Sequence, residues 1–147
     1  MTRRYTITVT AEQARIISQA CDLLARLGIG QWYEFLDYLP GANRLQTSEL
    51  RESMEPIIGD ALEKAVGVRG WRSSLGVGSD RSSPDADNAY DLHAVIRHRL
   101  AWDRATDNGI TDGVTRNWPA MMGVHYDEPM HWGKEPLAGI AAREVEG

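Results

Sequence analysis

Residues 5–28 read YTITVTAEQARIISQACDLLARLG, and the fold turns on how this stretch divides. Its first part, Arg4 to Val9, alternates polar and apolar residues and is rich in β-branched types, the pattern of a short strand. Thr10 then suits a helix N-cap, with Gln13 three residues on to complete a capping box. From Ala11 to Leu27 the apolar residues recur at helical spacing, and Ala14, Ile17, Cys21, Leu24 and Leu27 form one stripe for a core. Gly28 and Gly30 follow, and glycine tolerates the left-handed conformation that ends many helices. A strand followed by a helix predicts an α+β fold, mainly α.

The rest of the chain is read in the same way. Gln31 to Leu39 predicts a short aromatic helix closed by Pro40-Gly41, with Trp32, Phe35 and Leu36 buried. Thr47 or Ser48 caps a further helix over about Glu49 to Val66, lined by Met54, Ile58, Leu62 and Ala65. Pro56 kinks or restarts it, because proline lacks an amide proton. Gly67 to Ser83 is rich in glycine, serine and arginine without periodicity, and predicts a long mobile loop. Ser83-Pro84 is a strong helix start, an N-cap followed by proline at the first helical position. That helix is expected to reach about Ala105. Asp107-Asn-Gly109 and Asp112-Gly113 mark turns, with a small hairpin across Ile110. Beyond Trp118 the chain reads as extended and irregular, with a frayed tail over 140–147.

At 147 residues with 42% hydrophobic content, the chain can bury a core without a disulfide or structural metal and is expected to form one domain, 1–147. The single Cys21 has no partner for an internal disulfide, and its place in an apolar helical stripe predicts a buried free thiol. A net charge of −5 argues against non-specific nucleic-acid binding, and no apolar run suggests a membrane span.

Chemistry concentrates between Pro84 and Leu137, where three of the five tryptophans and all four histidines fall. Arg97, His98 and Arg99 put three potential cations in one helical turn. Arg97 and Arg99 project about 200° apart, so a single ligand cannot take both from the helix alone. His98 and Trp102 are four apart and can touch. Guanidinium groups grip phosphates and carboxylates, and indole offers a stacking face. Set against that, Arg99 also has Asp103 at ion-pair spacing. His125, Tyr126 and Asp127 add directional hydrogen-bonding groups. His125, Asp127 and His131 could ligate zinc or manganese, yet their spacing matches no strong metal signature. Gly76-Val-Gly78-Ser79 could form a nest of amide protons for a phosphate. Asp91 with Glu128, or Asp103 with Asp127, could act as an acid/base pair, although no spacing brings them together. The chain has no nucleophile elbow, phosphate-binding loop or dinucleotide fingerprint. No catalytic set, cofactor or metal is assigned.

Val95-Ile-Arg-His-Arg-Leu-Ala-Trp-Asp103 and Met122-Gly-Val-His-Tyr-Asp-Glu-Pro-Met130, with residues 5–20 and Gly28-Ile-Gly-Gln31, resemble a group of small accessory proteins encoded by tailed phages. The resemblance covers both ends of the chain and skips about 40–83. It implies phage origin, expression in a bacterial cytoplasm and an accessory role; by analogy, small phage accessory proteins often counter bacterial defence. Small phage proteins of that kind include homo-oligomers that sequester nucleotide-derived immune signals. The expected function is therefore non-catalytic binding of a small anionic, ring-bearing, nucleotide-derived ligand by Arg97, His98, Arg99, Trp102, His125, Tyr126 and Asp127. The alternatives are a hydrolase of such a signal, with His93, His98 or His125 as acid/base, and an inhibitor of a host defence protein. A homo-oligomer is expected, with neither membrane nor nucleic acid as partner.

Overall fold

The computed structural model describes residues 3–41, 43–66, 74–109 and 129–141. Among the described residues four α-helices carry the fold: α1 (Ala11–Gly28), α2 (Arg44–Met54), α3 (Asp60–Val66) and α4 (Pro84–Asp107). A 3-10 helix, Trp32–Tyr38, follows α1, and one π turn, Glu55–Gly59, joins α2 to α3. The described residues contain no strand, so the α+β expectation is corrected to an all-helical fold. Residues 3–10 carry the strand pattern but have no ladder to join. They run as irregular chain with Tyr5 and Ile7 largely exposed. The hairpin across Ile110 lies outside the described residues.

The start of α1 follows the sequence closely. The Thr10 amide donates to Gln13 Oε1 at 2.9 Å, and the Gln13 amide donates back to Thr10 Oγ1 at 3.1 Å. Two amide protons at a helix start, where intrahelical acceptors are lacking, are thereby satisfied. At the other end the two glycines serve different needs. Gly30 has φ +94°, the left-handed turn a side chain disfavours. Gly28 is needed for space, because a Cβ there would collide with the Cβ of Ala86.

Of the expected α1 stripe, Ala14 is buried, Ile17 and Cys21 are half-buried, and Leu24 and Leu27 are exposed. The residues of α1 that are fully buried, Ala14, Ser18 and Ala25, are all small.

Pro56 produces the π turn. Lacking an amide proton, it cannot continue the α-helical ladder, and α2 gives way to a wider turn before α3 resumes it. The helix itself begins at Arg44, earlier than the Thr47 or Ser48 cap predicted. The Arg51 guanidinium lies over the Tyr33 ring, 4.1 Å from its centroid.

The chain divides into two compact units. One comprises Met1–Cys21, Asp91–His131 and Leu137–Gly147; the other comprises Asp22–Tyr90 and Trp132–Pro136. In the second unit residues 74–83 are turns tied to their surroundings. The Leu75 amide donates to the Ile29 carbonyl at 2.9 Å, and the Gly78 amide to Asp87 Oδ1 at 2.8 Å. Residues 67–73 of the predicted loop lie outside the described residues. Glu135 donates its amide to Asn88 Oδ1 at 3.2 Å, and Gly133 lies so close to Asn88 that a Cβ would not fit.

Candidate functional site

Helix α4 is the platform. Ser83 caps it, its Oγ accepting the Asp85 amide at 3.2 Å and its carbonyl the Ala86 amide at 2.9 Å, with Pro84 first in the helix. Ala94, Ala101 and Ala105 are buried, which lets this face of the helix approach its neighbours closely. The predicted ligand-binding residues Arg97, His98, Arg99 and Trp102 project from its second half.

Three of these four are engaged along the helix itself. Arg99 donates from Nε to Asp103 Oδ1 at 2.9 Å, and its Nη2 reaches the same oxygen. The hydrogen bond to Asp103 raises the Arg99 pKa above its ordinary value; partial burial opposes this and the carboxylate's charge adds to it. Trp102 Nε1 donates to His98 Nε2 at 2.9 Å, with the two rings edge to face and 5.9 Å between centroids. His98 Nε2 is thus the acceptor nitrogen, which assigns the proton of a neutral ring to Nδ1.

Arg97 differs. It lies on the face of Ala94 and Ala101, and Ala101 is fully buried. Its Nε is buried and has no hydrogen-bond partner. A guanidinium presents donors only, and leaving one desolvated without an acceptor is costly.

The remaining histidines described here have other partners. His93 is buried, with Nδ1 2.9 Å from both the Ser18 hydroxyl and the Ser18 carbonyl oxygen. Ser18 Oγ donates to the His93 carbonyl at 3.3 Å. A consistent assignment has His93 Nδ1 donating to the Ser18 carbonyl, so α1 and α4 exchange hydrogen bonds within the first unit. That occupies the nitrogen in holding helices together. His131 Nε2 stands 3.6 Å from Asp91 Oδ2, and Asp91 is buried. Sequence reading grouped His131 with His125 and Asp127 and Asp91 with Glu128; it did not pair the two. Among the described residues no cluster of three or more His, Cys, Asp or Glu could hold a metal ion. His125, Tyr126 and Asp127 lie outside the described residues.

The glycine nest is filled by the protein's own side chains. Gly76 and Gly78 have φ +80° and +75°, as a nest needs, but their amides donate to Ser74 Oγ and Asp87 Oδ1. A Cβ on Gly78 would come within 2.5 Å of the Trp132 ring. Asp87, which also receives the Ser82 hydroxyl, is the residue sequence reading missed. Its carboxylate near the start of α4 is favoured by the helix dipole, and that was its only sequence signal.

Cys21 is half-buried, and burial pushes its thiol pKa up, which disfavours the nucleophilic thiolate at neutral pH. No described helix is long and apolar enough to cross a membrane. Comparison of the chain with protein-family models, with curated proteins and with solved structures found no match.

Proposed function

We propose that this chain is a phage-type accessory protein that binds and sequesters a small anionic, ring-bearing ligand, nucleotide-derived, without cleaving it. It would act in the cytoplasm of a bacterial host. The observation that carries the reading is Arg97, whose buried Nε has no acceptor. A buried guanidinium N–H that the fold leaves without an acceptor is worth more to a bound phosphate than to the free protein. Arg97 would anchor the anion; Arg99, about 200° away around the helix and paired with Asp103, would reach the ligand only through a part of it that extends past the helix. The Trp102 indole offers the ring a neighbour. His125, Tyr126 and Asp127 would add hydrogen bonds to ribose or base.

Arg97→Met tests this directly. Methionine keeps the apolar stem and removes the unsatisfied donors. The free protein should melt a few degrees higher, since a buried unpaired donor costs about 1–3 kcal/mol. Calorimetry with inorganic phosphate, a nucleoside monophosphate and a cyclic dinucleotide should show binding to wild type reduced tenfold or more in the variant. A ligand recovered intact after denaturation supports sequestration; recovered product supports the hydrolase. Wild-type protein that ignores all three probes, or a variant that binds them equally, removes the reading.

A further inference from the structure

Helix α1 carries two apolar faces, and the fold uses one of them. The small face, through Ala14, Ser18 and Ala25, is buried. The other holds Ile16, Ala20, Leu23 and Leu27, spaced alternately four and three residues apart. Ile16 is 52% exposed and Leu27 41%, and Leu24 beside them is 51% exposed. Alternating spacings of four and three make the seam by which two helices pack side by side. Ala20 is also exposed and Leu23 is half-buried, so the stripe is largely open to solvent, as an interaction surface is.

The charges along its border identify the occupant. Glu12, Arg15, Gln19, Asp22 and Arg26 run down one flank of the stripe. Read outward from Gln19, the order of charges reverses: Arg15 then Glu12 in one direction, Asp22 then Arg26 in the other. Two α1 helices laid antiparallel, with a twofold axis near Gln19, bring Glu12 beside the partner's Arg26 and Arg15 beside the partner's Asp22. Laid parallel about a twofold axis along the helices, the charged flank of each faces the partner's opposite flank, and these four pairings are lost. The antiparallel arrangement also sets the helix dipoles favourably. The existing intrahelical pairs, Arg15 with Glu12 and Arg26 with Asp22, can join these contacts, since each carboxylate and guanidinium has further acceptor or donor capacity. Ala20, next to the axis, keeps the helices close.

We propose that this face of α1 is the interface of a homodimer, in which two copies of the chain pair antiparallel through their α1 helices. This stands independently of the ligand reading and gives the expected self-association a definite surface. The small inner face cannot serve, because it is already buried.

Sedimentation of the full chain at tens of micromolar should give twice the chain mass. Ile16→Glu places a carboxylate in the seam, where burial without a partner is unfavourable, and should weaken association roughly a hundredfold. Its melting curve in dilute solution should match wild type, since Ile16 is exposed within the single chain. The direction of pairing is read with single cysteines in a Cys21→Ala background. Gln19→Cys should cross-link to its counterpart with a short bismaleimide. Glu12→Cys should not, because seven residues from the axis on each helix separate the two thiols by roughly 21 Å along it. A monomeric wild type overturns the proposal, as does an Ile16→Glu variant that still dimerises. Equal cross-linking at Glu12→Cys and Gln19→Cys overturns the antiparallel arrangement.

Discussion

Asp87 and Asn88, near the start of α4, hold backbone amides from outside the helix: Gly78 in the preceding turns for Asp87 and Glu135 for Asn88. About three turns later, the hydrogen bonds of Arg99 to Asp103 and of Trp102 to His98 stay within the helix. The first kind of bond ties segments together and disappears on unfolding. The second survives wherever the helix survives, and adds little to tertiary stability. Polar residues near the start of α4 therefore maintain the fold, while those of its second half can be altered at small cost. A binding surface benefits from that separation, since ligand contacts can change without endangering the structure.

The contrast can be broken by substitution, beginning with the largest effect. Gly28→Val should cost about 3 kcal/mol, because its Cβ has no room beside Ala86 and the obstacle is a Cβ fixed to a helix. Urea unfolding should show a lower midpoint or no cooperative transition. Asp87→Ala should cost about 1 kcal/mol, because the Gly78 amide it releases is exposed and water can take the acceptor's place. Hydrogen exchange should then find Gly78 unprotected while the middle of α4 stays protected. Arg99→Ala should cost about 0.5 kcal/mol or less, as expected of an i,i+4 pair whose side chains are each a third or more exposed. If Asp87→Ala proves as mild as Arg99→Ala, the two halves of α4 contribute alike to the stability of the fold.

Local signals were legible in the sequence. The Thr10–Gln13 capping box, the Ser83-Pro84 start and the four-residue spacings of His98–Trp102 and Arg99–Asp103 all concern residues a few positions apart, where helix geometry dictates who meets whom. The strand reading of Arg4–Val9 failed because alternation describes a chain fit for a sheet and cannot supply the neighbouring strand. The inward face of α1 was misread for a related reason. Leu24 and Leu27 look like core residues by transfer free energy, yet they are exposed, and Gly28 meets Ala86 where no side chain would fit. Hydrophobicity ranks residues by their wish to leave water; it does not rank them by how closely two helices must approach. The Asp87–Gly78 and His131–Asp91 pairings left no periodic trace, since contacts between separate segments have no fixed spacing.

The π turn at Glu55–Gly59 lies within one helical run, between α2 and α3. A π turn accommodates an additional residue within a helix, and each residue rotates an α-helix by about 100°. Because the turn takes up that residue, α3 keeps close to the phase an unbroken helix would give it. Ile57, 74% exposed, sits in that turn. A residue inserted in α2, away from the turn, would instead swing Leu62 and its neighbours by about a quarter turn without altering a single other letter. The turn thus acts as a length of slack: the helix tolerates an extra residue there, and far fewer changes of chain length elsewhere upstream of α3.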